Sequence, residues 1–373
     1  MSEIGIHVYT HEFSPKRGGI ASYCHEFARA AAELGYTVRL YSPKNARHGD
    51  YNPNYKLLPG RAAGNHSLAA ILQTRNLLKE TLQKYPNDLH VLAEPGPIIA
   101  YGSLNQKLTT TARCHIILHG SEIKKWQEFG LKTLAAQRAL RQADAICTVS
   151  APIRALAEST FPQLCHKLRA VPNALPANYQ SILPPARAPS TTLNILSVGR
   201  IHPRKGFDQI IHALAKLPAA TRRQIHYTIA GGSKDTNYLN RLKSHAADLS
   251  IQLEVKLDLS DAQLDACYRA ADLFALTSIS YKNSVEGFGI VYLEAGAYAL
   301  ACVAYDSGGV SDAVRHDQTG LLIPTGDIEQ LAQAILRLFE DPELRIQLGQ
   351  QNREFALQRT WQDVVSETIA PLA

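Results

Sequence analysis

In the stretch EGFGIVYLE, Glu286 and Glu294 bracket an apolar run that also holds Gly287 and Gly289. A surface helix would carry polar residues through its middle, and this run carries none. Glu286 and the glycines fit a loop, and Val291 onward fits a buried helix. The N–H groups of Gly287, Phe288, Gly289 and Ile290 then stand at a helix N-terminus, where unpaired amides meet a phosphate. On one helix the two carboxylates would lie ~12 Å apart. That is too far for an acid/base couple and suits two ends of one elongated ligand. Carboxylates accept hydrogen bonds from pairs of sugar hydroxyls. The run therefore reads as a buried scaffold with ligand contacts at its rim, against the alternative of a capped helix with two incidental acids.

A second segment, LSVGRIHPRKGFDQII, ends a strand at Gly199 and sets Arg200 and Lys205 five apart before a helix. Arg offers a planar fork to phosphate and Lys a point charge. Together they can neutralise a diphosphate without a metal. IAGGSKD repeats the theme with Gly231 and Gly232 after a strand, equally a nucleotide platform or a plain turn. In SPKRGGIASY, Gly18 and Gly19 precede the first long helix. Such a pair lets amides approach a phosphate, but βα turns use glycine for conformational reasons too, and alone the pair reads as a turn. RCHIILHGSEIKKW places His119, Gly120 and Glu122 at a strand end. A lone His is more often a structural hydrogen-bonder, and its strand-end position raises the functional reading.

The elements that must position these residues alternate between β-like runs and amphipathic stretches. IGIHVYT, TVRLYS, LHVLAE, RCHIILHG and AICTVS read as strands, with helices such as Ile20 to Leu34 and Leu131 to Gln142 between them. LPANYQSILPPARAPSTT lacks periodicity and reads as a linker. The pattern then restarts with LNILSVGR, IHYTIAGG, IQLEVKL, LFALTS and ACVAYDS. The fold class is α/β: two Rossmann-like, doubly wound domains facing across a cleft, with ligands at the carboxyl ends of the strands. The boundaries are 1–174, a linker at 175–192, 193–355, and a C-terminal helix at 356–373 that returns to the first domain.

The 373 residues are 45% hydrophobic, enough for two cores. Six scattered cysteines form no CxxC pair, which signals neither a zinc site nor a disulfide framework and fits a reducing compartment. The N-terminal run shows no secretory pattern, and no run approaches the ~18 apolar residues of a membrane span. The expected location is the cytoplasm, extending to peripheral attachment at the inner face of the membrane. Charge is uneven. Residues 1–174 carry 21 Lys+Arg against 12 Asp+Glu, and residues 175–373 carry 18 against 21. A basic half invites an anionic partner or is simply a solvated surface. No nucleic-acid module is recognisable, so nucleic acid is not expected as a partner.

These segments together resemble the retaining glycosyltransferases of the GT-B fold, specifically glycosyltransferase family 4, over essentially the whole chain. The E-x7-E element is Glu286 and Glu294, the Arg/Lys pair is Arg200 and Lys205, the glycine loop is Gly18 and Gly19, and the strand-end His is His119. VPNALP at Val171 to Pro176 is similar to the family's VPNG segment, with Ala174 in place of Gly. The resemblance implies a nucleotide-sugar on the C-terminal domain: Arg200 and Lys205 on the diphosphate, Glu294 on the ribose, and Glu286 with the Gly287 to Ile290 amides on sugar and phosphate. It places His119 near the reacting centre and Gly18 and Gly19 near the diphosphate or acceptor. It implies same-face attack with the leaving phosphate taking the acceptor's proton. No Asp-x-Asp motif stands out, so no cofactor or metal is expected. EGFGIVYLEA and HGSEIKKW look similar to the phosphatidylinositol mannosyltransferase branch, which uses GDP-mannose, with UDP-sugars close behind. The acceptor is expected on the basic domain. Lys124, Lys125 and Lys132 beside Trp126 suit a membrane surface and a lipid-linked or glycan acceptor, unless Trp126 is core and the lysines are solvated. The rival readings are a sugar-nucleotide epimerase, which lacks a convincing carboxylate pair here, and a non-catalytic nucleotide-sugar binder.

Overall fold

The computed structural model describes residues 4–371, apart from 17, 48–53, 61–63, 65, 105–111, 189 and 234. The chain divides into two compact units, 1–176 with 360–373, and 177–359.

The first unit is built on strands β1 (Gly5–Tyr9), β2 (Thr37–Ser42), β3 (Lys56–Pro59), β4 (Leu89–Leu92), β5 (Arg113–Leu118), β6 (Ala145–Thr148) and β7 (Leu168–Ala170). All pairings are parallel, in the order β3-β2-β1-β4-β5-β6-β7. Every residue of β1, β4 and β6 is buried, as expected where helices cover both sheet faces. From β1 the chain winds outward through β2 and β3, then crosses to β4 on the other side. The strand order therefore reverses between β1 and β4, the position at which open α/β sheets bind ligands.

The C-terminal helix Trp361–Ile369 belongs to this unit. Thr360 and Asp363 close a capping box at its start. Trp361 is fully buried and meets Tyr23 of the helix Gly19–Glu33 edge-on at 5.3 Å. Burying a ring of this size contributes roughly 3 kcal/mol. Further along, the Thr368 carbonyl accepts from His115 Nδ1 at 2.8 Å.

The second unit carries β8 (Leu193–Val198), β9 (Ile225–Ala230), β10 (Gln252–Lys256), β11 (Leu273–Leu276), β12 (Ala301–Asp306) and β13 (Gly320–Pro324). They are parallel in the order β10-β9-β8-β11-β12-β13, so this sheet reverses between β8 and β11. Tyr227, Phe274, Tyr292 and Tyr298 fill the core. The segment read as a linker includes a short helix, Ala177–Gln180, and is fastened to the second unit. Arg187 donates to the carbonyls of Ala271 and Tyr298, the latter at 3.2 Å.

Candidate functional site

In the second unit, the loops that follow β8 and β11 meet where the sheet reverses. After Val198 the chain runs through Arg200 to a tight turn, Pro203–Lys205, closed by Gly206. His202 Nδ1 accepts from the Arg204 N–H at 3.1 Å and starts this turn. Gly206 has φ +67°, and its carbonyl accepts from Thr277 Oγ1 at 2.7 Å. A Cβ at Gly206 would lie 2.0 Å from the Thr277 carbonyl oxygen, so only glycine lets the two loops approach this closely. The same holds at Gly231, where a Cβ would lie 1.9 Å from the Gly199 carbonyl oxygen. Gly232 is less constrained, its nearest neighbour being the Asp258 carboxylate at 3.0 Å.

This approach brings together charges that lie about eighty residues apart. Glu286 Oε2 accepts from Lys205 Nζ at 2.8 Å, Arg204 NH1 at 2.9 Å and Ser278 Oγ at 2.8 Å. Both Lys205 and Glu286 are buried. Burial alone would push the Glu286 carboxyl up, but the Lys205 and Arg204 charges hold it down to about 2. Burial pulls the Lys205 ammonium below its ordinary value even with Glu286 beside it. The rim position expected for Glu286 is thus corrected: the loop folds inward because its carboxylate is the counter-ion of two cations. Its backbone is fixed as well, since the Glu286 carbonyl accepts from the Gly309 N–H at 2.9 Å.

Glu294 lies on the helix Ile290–Ala297 and is half-buried. Burial raises its carboxyl to about 7, against the hydrogen bond from the Tyr268 hydroxyl at 2.9 Å and the Lys205 charge. Gly289 caps this helix with φ +92° and no side-chain cap; the Tyr292 N–H donates to the Gly289 carbonyl at 3.0 Å, which leaves the Ile290 and Val291 amides of the first turn to an anion. Phe288 is buried beneath that turn and Ile290 is half-buried. Arg200 is exposed and makes no hydrogen bond or ion pair among the described residues, yet its charge is felt by Lys205 and His202. Arg200, Lys205, Glu286 and Glu294 therefore form one electrostatic neighbourhood. Arg204, Ser278 and Tyr268 were missed in the sequence. Arg204 adjoins Lys205 and reads as a second surface cation, and nothing in its spacing points to Glu286.

In the first unit, His119 follows β5 and is half-buried. Its Nε2–H donates to the Ala93 carbonyl at 2.9 Å, and Tyr23 stands edge-on at 5.2 Å. Nδ1 is then the ring nitrogen left to meet a ligand. Buried Glu122 accepts from the backbone N–H groups of His119 and Gly120, so it shapes the turn and leaves ligand contact to His119. Gly18 and Gly19 are exposed at the start of the helix Gly19–Glu33, with no side-chain cap. A Cβ at either would meet nothing within 4 Å. Space does not demand glycine there, and what the pair offers is bare, accessible amides. Trp126 is core, 4% exposed. The apolar groups that face solvent are Phe129, 97% exposed, and Leu131, 86% exposed, next to exposed Lys125 and Lys132. Lys132 Nζ donates to the His66 carbonyl at 2.9 Å, two residues before exposed Leu68.

Residues 17–178 match the family described as Glycosyltransferase Family 4, and residues 180–355 match Glycosyl transferases group 1. The GDP-mannose-dependent alpha-(1-6)-phosphatidylinositol monomannoside mannosyltransferase of Mycolicibacterium smegmatis is 27% identical over 370 residues, covering 95% of this chain and 94% of the relative. A D-inositol 3-phosphate glycosyltransferase of Saccharomonospora viridis is 34% identical over 182 residues, 46% of this chain and 41% of that one. Among solved structures, sucrose-phosphate synthase from Thermosynechococcus elongatus superposes with a TM-score of 0.79 at 20% identity, covering 98% and 97% of the two chains. Anabaena HepE in complex with UDP and glucose gives 0.73 at 18% identity, covering 98% of each.

Proposed function

The chain belongs to glycosyltransferase family 4, and from that premise we propose that it moves a hexose from a nucleotide-diphosphate sugar to a hydroxyl of a lipid-linked or other glycan acceptor, in glycolipid or cell-surface polysaccharide synthesis. GDP-mannose is the proposed donor ahead of a UDP-sugar, because the full-length relatives are named as GDP-mannose-dependent. The observation that carries the reading is the Lys205–Glu286 pair, buried beside exposed Arg200 and an uncapped helix N-terminus.

In this reading Arg200 and Lys205 bind the diphosphate. As the bond from the anomeric carbon to the phosphate oxygen breaks, charge grows on that oxygen, and two pre-placed cations stabilise it. Glu286 holds Lys205 in place, leaving the other ammonium protons for phosphate, while the Gly287 to Ile290 amides receive phosphate oxygens or the sugar. The Gly231–Gly232 backbone gives the nucleotide a flat approach. Glu294 accepts the two ribose hydroxyls. The acceptor oxygen attacks on the face the phosphate leaves, and its proton passes to the departing phosphate oxygen, so configuration is retained. His119 Nδ1 is assigned to the transferred sugar, and the bare Gly18 and Gly19 amides to a phosphate or acceptor oxygen. The transfer needs no metal, since the cations already balance the leaving charge.

Calorimetry with GDP, UDP and ADP in the presence of EDTA tests the donor site. GDP is expected to bind most tightly. Glu294 must be ionised to accept the ribose hydroxyls, and its carboxyl sits near 7 in the free protein. Raising the pH from 6 to 8 takes it from mostly neutral to mostly charged, so affinity should tighten roughly tenfold. Stability moves the other way: a raised carboxyl favours the folded state below the ordinary carboxylate range, and this contribution is lost as pH rises through 7. Glu294→Gln should flatten the pH dependence of GDP binding. No binding of any nucleotide at pH 8 would sink the donor-site assignment.

We also propose that Phe129 and Leu131, with Lys125 and Lys132, rest on an anionic lipid surface that presents the acceptor. No helix among the described residues is long and apolar enough to cross a membrane. Co-sedimentation with phosphatidylglycerol-containing vesicles should fall about tenfold or more in Phe129→Ser/Leu131→Ser. Unchanged sedimentation would remove this surface from the reading.

A further inference from the structure

Where the first sheet reverses, the loops after β1 and β4 carry a cluster that the proposed transfer does not use. His11 follows β1, Glu94 follows β4 and caps the helix Pro95–Gly102, and His66 precedes the helix Leu68–Lys84. Glu94 is fully buried. Its Oε2 accepts from His66 Nε2 at 2.7 Å and the Gly96 N–H at 3.1 Å. Its Oε1 accepts from the His11 N–H at 3.0 Å and lies 3.9 Å from His11 Nδ1. One ligand atom from each of the three side chains lies within 4.8 Å of the others.

Two features organise this cluster beyond proximity. His11 Nε2 meets Thr74 Oγ1 at 2.7 Å, which fixes the ring with Nδ1 toward Glu94. Gly96 lies against that nitrogen, and a Cβ there would sit 2.3 Å from Nδ1 and 2.8 Å from Glu94 Oε1. Any larger residue at 96 would displace the imidazole from the carboxylate.

We propose that His11 Nδ1, His66 Nε2 and a Glu94 oxygen bind a divalent transition-metal ion, with Zn²⁺ the natural occupant. Two imidazoles and a carboxylate suit zinc, whereas magnesium and calcium prefer all-oxygen shells. Tetrahedral ligands at about 2.0–2.1 Å stand ~3.3 Å from one another. The separations of 2.7 and 3.9 Å fall on either side of that spacing, so small side-chain shifts admit the ion. Binding takes the proton off His66 Nε2 and leaves the neutral ring protonated at Nδ1, and a fourth position stays open to water because His66 is exposed. Thr74 is the partner that orients His11. The ion ties together three loops at the carboxyl edge of the first sheet and takes no part in bond-making.

The test uses the untagged, EDTA-stripped full chain titrated with Co²⁺ and then Zn²⁺. The expected result is a single Co²⁺ per chain with visible d–d absorption, displaced by Zn²⁺, and a Zn²⁺-dependent rise in Tm. His66→Ala, at an exposed position that leaves the fold intact, should abolish both signals. Thr74→Val should weaken binding about 10–100-fold. Absence of d–d absorption in the parent chain would overturn the site. So would His66→Ala binding Co²⁺ as tightly as the parent, since the metal would then sit elsewhere, for example on thiols. These readouts follow metal and not turnover, so their outcome is independent of the transferase reading.

Discussion

Lys205→Ala is expected to lower kcat by roughly 10²–10³-fold, the scale seen when one pre-placed donor to a developing oxyanion is removed, and to destabilise the protein as well. The stability loss follows from burial. Lys205 and Glu286 are both out of water and 2.8 Å apart. Removing one partner of a buried pair leaves the other charge uncompensated, at a cost of about 3–5 kcal/mol. Arg204 still reaches Glu286 at 2.9 Å, which puts the expected loss at the lower end. Arg200→Ala separates the two effects. Arg200 is exposed and unpaired among the described residues, so its loss should reduce turnover on a similar scale with Tm unchanged. Lys205→Ala/Glu286→Gln should regain much of the stability and none of the turnover. Steady-state rates and thermal unfolding on the same preparations decide the matter. Full turnover in Lys205→Ala would show that the diphosphate does not sit here.

The loops were legible in the sequence for a definite reason. A strand, a glycine and a helix start mark a place where backbone amides are exposed, and this signal is local. Gly199, Gly231 and Gly289 all stand at such junctions. The central strands were equally legible, because runs buried on both faces are apolar throughout, as in β4 and β6. The edge strands β3 and β7 escape such a reading. Lys56–Pro59 is half-exposed and Leu168–Ala170 is three residues long, so neither forms an apolar run. β13 is more apolar but lies between Gly320 and Pro324, which read as loop.

Glu286 shows where local reading stops. Its type and spacing suggested a ligand contact, and its burial with Lys205, Arg204 and Ser278 makes it first a counter-ion. That pairing depends on two loops meeting across a sheet reversal, which no local spacing encodes. Trp126 makes the same point from the other side. Neighbouring lysines left a surface aromatic and a core one equally open; the ring is core and Phe129, three residues on, faces solvent. In both cases the residue type was informative and the direction of the side chain was set by tertiary packing.

The loop meeting itself can be tested through Gly206→Ala. Alanine at φ +67° costs about 1–2 kcal/mol for its left-handed backbone. Its Cβ would also lie 2.0 Å from the Thr277 carbonyl oxygen. That atom is backbone at the end of β11 and cannot rotate away, so the loops must separate, adding roughly 1–3 kcal/mol of overpacking strain. At roughly 2–4 °C per kcal/mol for a unit of this size, Tm should fall by about 5–15 °C. Turnover should fall further than stability alone requires, because Lys205 is the adjacent residue and a displacement of ~1 Å can cost about 10²-fold. Gly232→Ala is the matched control: its nearest neighbour is the end of the Asp258 side chain, which can move aside, so Tm should hold. A Gly206→Ala protein with parental Tm and parental GDP affinity would show that the two loops do not need this contact to assemble the site.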